Sequence, residues 1–459
     1  MATDSDMKVL TNKLAEYQER GVFQVKLGLT DIDGVLRGKY VSLDKFASLL
    51  TKQGGFCDCV FGWDVDDQLY DAGTYTGWHS GFPDVAYRLI VESERWLPDE
   101  NCPFFLGEFV GDEGPHELCP RTLLNNVLAE YAQLGLQVRS GFEYEFFVFE
   151  ETPHSVRAKN YQNLTPLTPG NFGYSVLRTS AQSQHFLGLM EWCRQMNCDI
   201  EGLHCETGPG VWEAALQSQV GIEAADRANL FKTFAKTYFQ KRDLMATFMA
   251  KWSMDYPGQS GHFHFSLCDE DGANKFFAED AKHGMSALQR HAVAGVQRYL
   301  AELLPMLAPT INSYTRLVKG AWAPTAATWG IENRTAAIRV IPGGASSQRV
   351  ECRVGGADGN PYLVASAVLG AALAGIRERL EPEDPVQGNA YDLQDDLPEG
   401  YKFATNLADS SEKMHQSSMA RSMLGEAFVE HFVMTRRWES QEYQRNLNSW
   451  QLERYFEII

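Results

Sequence analysis

The chain has no CxxC pair, no excess of basic residues and no apolar run long enough to cross a membrane. Its nine cysteines are scattered, and the nearest pair, Cys57-Asp-Cys59, lacks both the spacing and the second half of a zinc site. An odd, dispersed set of this kind fits reduced thiols in a cytoplasmic protein. The formal net charge of −19 argues against a nucleic-acid partner, because phosphate backbones demand clustered Lys and Arg. No basic segment followed by an apolar stretch opens the chain, so no secretory signal is read. Gly34 to Lys39 is one residue too short for a phosphate loop, and Tyr40 follows where Ser or Thr would be needed. The expectation is a soluble cytoplasmic protein with no membrane contact and no P-loop.

What is present is ordinary in bulk, with 44% hydrophobic and 22% charged residues in 459. Met7, Leu10, Leu14 and Tyr17 recur at helical spacing, giving a helix that ends near Gly21. Val22 to Leu29 alternates as a strand with Phe23, Val25, Leu27 and Leu29 on one face, and a turn at Asp31–Gly34 leads to a second strand through Arg37–Val41. The polar stretch Gly111–Pro115 divides an N-terminal domain, 1–112, from a larger domain, 116–459. Beyond it, helices are expected over 121–135, 180–197, 220–249, 283–307 and 361–380, with a strand over 138–149 and a mostly helical C-terminus. The class is mixed α+β.

Three segments place polar groups at every second residue: Gly141-Phe-Glu143-Tyr-Glu145, Gly261-His262-Phe-His264-Phe-Ser266 and Arg349-Val-Glu351-Cys-Arg353. In a strand, alternate side chains share a face, so each segment aims its carboxylates, imidazoles or guanidiniums one way. Phe142, Tyr144, Phe146, Phe263, Phe265, Val350 and Cys352 are left for the core. Any one segment reads equally as a half-buried strand with a wet face. Glu201, Glu206 and Glu213 flank a Gly-Pro-Gly turn that folds carboxylates toward one another, or is a plain surface turn. Arg334, Arg339, Arg349 and Arg353 fall within twenty residues, interleaved with apolar side chains, and suit bidentate binding of carboxylate or phosphate. Together these groups point to metal-assisted phosphoryl transfer outside the P-loop and kinase folds.

In this order, the E-x-E strand, the E-(x)6-E turn, H-x-H-x-S, N-R-T-x-x-x-R, R-x-E-x-R and Asn360-Pro361-Tyr362 resemble the glutamine synthetase superfamily over nearly the whole chain. The resemblance implies a small N-terminal β-grasp domain and a larger C-terminal catalytic domain, a curved antiparallel sheet flanked by helices. It implies a dodecamer of two hexameric rings with active sites shared between subunits, and L-glutamate and ATP as substrates. Two to three Mg²⁺ or Mn²⁺ ions are implied per site. Glu145, Glu206 and Glu213 match the ligands of the first ion; Glu143, His262 and Glu351 match those of the second. Glu201, His264, Ser266, Arg339 and Arg349 match ATP-binding positions, and Arg334 matches the arginine that steadies the transferring phosphoryl group. Gly258, Arg316 and Arg353 match glutamate-binding positions.

The departures lie where ammonia would be handled. Trp322 stands six residues after Arg316, where the resemblance places a flap Glu that helps deprotonate ammonium. The N-terminal Asp-Gly-Ser-Ser segment is missing, and Phe56 to Asp64 runs through its place; Val211 and Pro257 replace Gln and Asn. Trp322, Trp63 and Asp64 are therefore expected at a pocket for an organic amine, with Asp66 and Asp67 as further groups for a polyamine. This favours a γ-glutamyl amide ligase acting on a small amine. A glutamine synthetase using ammonia is the alternative, and a non-catalytic structural or regulatory member is a second. Tyr391 lies in an acidic segment that echoes the loop bearing a modified tyrosine in some relatives, or is a plain surface tyrosine.

Overall fold

The computed structural model describes residues 4–111 and 114–458, with side chains from residue 12 onward. The N-terminal sheet has seven strands: β1 (Gln24–Thr30), β2 (Leu36–Ser42), β3 (Gly54–Cys57), β4 (Asp84–Leu89), β5 (Arg95–Leu97), β6 (Cys102–Gly111) and β7 (Gly114–Pro115). They run in the order β2-β1-β6-β4-β3, with β5 and β7 also paired to β6. The helix Leu43–Thr51 packs on it, burying Phe46 against Phe105 at 5.0 Å between ring centroids. Val25, Leu27 and Leu29 are buried as the alternation predicts, but Phe23 is 79% exposed because it precedes the first paired residue, Gln24. The expected N-terminal helix runs over Asp4–Glu19, with the side chains of Met7 and Leu10 outside what is described; Asp112 and Glu113 of the expected boundary lie outside the described residues.

The larger sheet has nine strands: β8 (Gln137–Phe149), β9 (Ile200–Cys205), β10 (Val211–Leu216), β11 (Gln219–Val220), β12 (Met245–Thr247), β13 (Gly261–Cys268), β14 (Trp329–Ile331), β15 (Ile338–Ile341) and β16 (Arg349–Cys352). Their order is β14-β15-β16-β13-β8-β10-β9, with β11 and β12 both on β8. The sheet is mixed rather than purely antiparallel, since β14 and β15 run parallel at one edge. All seven residues assigned from sequence to the apolar face are at most 2% exposed. Phe142 and Tyr144 stack 5.8 Å apart, and Tyr144 meets Phe231 of the helix Glu223–Gln240. One face of the sheet is thus closed by helices, and the polar side chains are left on the other.

The helix expected over 220–249 is shorter. It ends at Gln240, Asp243 takes a left-handed conformation, and Met245–Thr247 joins β8 as an added strand. The 180–197 helix breaks at Gln182, and the 283–307 stretch divides into Ala287–Tyr299 and the short Leu304–Leu307, with Pro305 in its first turn. The helices Ala287–Tyr299 and Pro361–Glu378 touch through glycine. A Cβ at Gly375 would lie 2.3 Å from the His291 carbonyl, and one at Gly295 2.2 Å from that of Ala371.

Buried polar links tie the two sheets' surroundings together. Asn360 caps the helix Pro361–Glu378 through the Tyr362 N–H, and its amide donates to the Asp31 and Ile32 carbonyls at 3.1 Å each. Arg436 of the helix Glu426–Gln444 donates to Asp33. Arg121 forms a bidentate pair with Asp226, which also accepts from the Tyr362 hydroxyl.

Candidate active site

Strand register assembles the polar face. Glu143 pairs across from His262, Glu145 from Glu213, His264 from Glu351, and Arg339 from Glu351. His262 Nδ1 lies 3.4 Å from both Glu143 and Glu351, and His264 Nε2 is 3.4 Å from Glu143 and 4.0 Å from Glu351. Glu143, His264 and Glu351 can offer ligand atoms within 4.8 Å of one another, as can His204, Glu206 and Glu213. His204 comes from β9, beside the Gly-Pro-Gly turn, and stacks on Tyr174 at 4.4 Å. Glu145 shares the cavity of Glu206 and Glu213, with one oxygen accepting from the Ser260 N–H at 2.7 Å.

The electrostatics favour a cation. Burial first, then the neighbours Glu143, Glu145 and Glu206, push the Glu213 carboxyl up to about 11. Burial acts to raise Glu143 as well, but His262 and His264 outweigh it and hold this carboxyl far below the usual range. Glu351 likewise resists burial and falls to about 2 under His262, His264, Arg353 and Arg339. A cluster in which burial and neighbouring carboxyls together disfavour ionisation of Glu213 lacks positive charge. Its donors, carboxylate oxygens with a few imidazoles, suit Mg²⁺ or Mn²⁺.

Two cavities meet at Glu143. One, of about 390 Å³, is lined by Glu201, His264, Ser266 and Arg349, four of the residues expected for ATP, together with Arg139. The other, of about 460 Å³, holds Glu145, Glu206, Glu213, Gly258, Arg334 and Arg353, with Trp322 and Tyr174 as aromatic walls. Trp322 is 58% exposed and has φ +59°, a strained backbone for a bulky residue. Gly258 has no room for a side chain, since a Cβ would meet the Ala250 carbonyl at 2.6 Å.

Several expected residues stand apart from these walls, Glu351 and Trp63 among them, and three of the others show why. Arg316 is buried, donating to the Val354 carbonyl at 2.8 Å, the Ser260 hydroxyl at 2.9 Å and the Arg353 carbonyl at 3.2 Å. It braces Ser260 and Arg353 from behind. Arg339 is engaged by Glu332 and Glu351. Asp64 lies in the N-terminal region, with one oxygen accepting from the Asp66 and Gln68 N–H groups and the other from Trp438 Nε1 at 3.0 Å. Asp64 is therefore not among the residues that line the cavity of Trp322. Sequence reasoning passed over His204, Tyr174 and Arg139. His204 and Arg139 lie on the same alternation as Glu206 and Glu143, a signal that was readable; the loop position of Tyr174 carried none.

A family model described as "Glutamine synthetase, catalytic domain" matches residues 117–455. The chain is 44% identical over 440 residues to a type-1 glutamine synthetase of Dictyostelium discoideum, covering 95% of this chain and 84% of that protein. It is 33% identical over 463 residues to a glutamate–isopropylamine ligase of a Pseudomonas species, covering the whole of both. A solved structure described as a GmaS/ADP complex superposes with a TM-score of 0.84 at 24% identity, covering 97% of this chain and 99% of the other. At that identity the superposition speaks for the fold.

Proposed function

The chain belongs to the glutamine synthetase family of ATP-dependent, carbon–nitrogen-forming glutamate ligases, and from that premise we propose that it joins the γ-carboxylate of L-glutamate to an organic amine. The observation that carries this reading is Trp322, an apolar face on the 460 Å³ cavity, at the position where the resemblance places a flap carboxylate that handles ammonia. Indole cannot accept a proton, but its face attracts an alkylammonium and excludes water from its chain.

The reaction follows from the two cavities. ATP occupies the side lined by Glu201, His264, Ser266 and Arg349, and glutamate the side lined by Gly258 and Arg353. The γ-carboxylate attacks the terminal phosphorus of ATP across the Glu143 wall, forming γ-glutamyl phosphate and releasing ADP. The alkylammonium gives up one proton to water, the free amine attacks the acyl carbon, and phosphate leaves and takes up the second amine proton, giving the amide. Activation replaces a poor hydroxide leaving group with phosphate. Arg334, at the rim of the same cavity, is placed to meet the charge that spreads over the moving phosphoryl oxygens. Glu143, Glu351, His262 and His264 on one side, and Glu145, Glu206, Glu213 and His204 on the other, would hold Mg²⁺ or Mn²⁺, which supplies charge neutralisation for the phosphates. Arg316 acts through Ser260 and Arg353, keeping both on the cavity wall. Subunit sharing belongs to this reading too: in a ring, Asp64 of one subunit would be offered to a neighbour.

The 44% identity to a protein named glutamine synthetase favours a second reading, in which the acceptor is ammonia. Phosphate release with ATP, Mg²⁺ and glutamate against ammonium, methylamine, isopropylamine, ethanolamine, putrescine and spermidine separates them. Preference for one amine over ammonium supports the amide ligase; turnover with ammonium alone sinks it. No metal-dependent ATP turnover with any acceptor would point to a non-catalytic member.

A further inference from the structure

The acidic segment after the helix Pro361–Glu378 makes contact with both sides of the 460 Å³ cavity. Asn333 Nδ2 donates to the Gly388 carbonyl at 2.8 Å, and the Ala390 N–H to the Thr335 hydroxyl at 2.9 Å, so the residues flanking Arg334 are tied to it. On the other side it holds the residues around Trp322. The Tyr391 hydroxyl donates to the Ala323 carbonyl at 3.1 Å, Thr325 bonds Gln394, and Lys319 Nζ lies 2.9 Å from Asp395. Trp322 itself adopts a left-handed backbone, which a bulky residue keeps only when its neighbours over-determine it. Of the three ties, the Lys319–Asp395 pair is largely solvent-exposed and holds little by itself. The Tyr391 hydroxyl bond is half-buried and ends one residue from Trp322.

We propose that Tyr391 is a positioning residue for acceptor recognition: its phenol fixes the Ala323 carbonyl and so holds the Trp322 indole on the cavity wall. The inference rests on reading Trp322 as the acceptor's wall. Loss of the hydroxyl frees Trp322 to leave its strained conformation, and the acceptor loses its apolar face. ATP is bound in the other cavity and is untouched.

The test is Tyr391→Phe, which removes one oxygen and keeps the ring. The acceptor is whichever member of the panel above turns over best, ammonium included, so a failed amide-ligase reading leaves this test intact. The acceptor KM is expected to rise roughly fivefold, the worth of one neutral hydrogen bond, with the KM values for ATP and glutamate and the thermal midpoint unchanged. Tryptic cleavage after Lys319 in the unliganded protein is expected to quicken, a reading that needs no turnover. An unchanged acceptor KM overturns the proposal whatever the cleavage rate. A joint rise of all three KM values also overturns it, since it marks general loosening.

Discussion

On the proposed reading, single side chains decide which acceptor is used and whether metal is held. Trp322→Glu restores a proton acceptor and removes the apolar face, so the amine-to-ammonium ratio of kcat/KM is expected to fall about tenfold. Competition assays with both acceptors read this directly; an unchanged ratio removes Trp322 from the specificity argument. Glu213 is the carboxyl that burial first, and then Glu143, Glu145 and Glu206, push toward its neutral form in the absence of a cation. Glu213→Gln keeps a neutral group of the same shape in that buried place while deleting a ligand oxygen. The variant is expected to fold as well as the parent, yet to need at least about tenfold more Mn²⁺ for half-maximal turnover. Chelation should abolish turnover in the parent, and Mg²⁺ or Mn²⁺ should restore it. A Mn²⁺ requirement equal to the parent's would place Glu213 outside the cage.

At the scale of elements, the contact between Ala287–Tyr299 and Pro361–Glu378 sets how the catalytic domain's helices close on its sheet. Alanine normally stabilises a helix interior relative to glycine. At Gly375 the added carbon would meet backbone, 2.3 Å from the His291 carbonyl and 2.5 Å from Gly295 Cα. At Gly370 the near neighbour is the flexible Met423 side chain at 2.9 Å. Gly375→Ala is expected to cost about 1–3 kcal/mol and Gly370→Ala to be close to neutral, measured as urea midpoints. Equal midpoints would mean the helices separate at little cost. The elements were largely legible in sequence wherever one period dominates. β8, β13 and β16 announce themselves because polar and aromatic residues alternate strictly, and their register follows from burying one face. β12 was hidden, since Met245–Thr247 becomes a strand only by pairing with β8. Arg316 and Asp64 were hidden for the same kind of reason: whether a charge faces a cavity or braces a wall depends on partners distant in the chain.

Across the whole molecule, the long helix Glu426–Gln444 packs against the N-terminal region, and His431 sits in that seam near Tyr75 and His116. It is 6% exposed, and neither ring nitrogen has a hydrogen-bond partner among the described residues. Burial first, then Arg436 and His116, lower its pKa to about 3. The folded protein therefore keeps His431 neutral where the unfolded chain, titrating near 6.5, takes up a proton. Its contribution is fully present above the unfolded value and is lost as pH falls toward 3. By linkage, the fold loses about 2 kcal/mol between pH 7 and pH 5 through this residue. His431→Leu is expected to lose that much less over the same interval in urea titrations. An equal loss in both proteins would show that the imidazole accepts its proton within the fold.

Glu143 lines both cavities, a party wall between two rooms with separate doors. Traffic through one door need not wait on the other. On the proposed reading, nucleotide and acceptor then come and go in either order, and the phosphoryl group alone passes through the wall. Initial-rate lines for ATP against acceptor are expected to intersect, whereas parallel lines would signal an intermediate held covalently by the enzyme. ADP should compete with ATP for its doorway and leave acceptor entry unobstructed, so that raising the acceptor concentration never relieves inhibition by ADP.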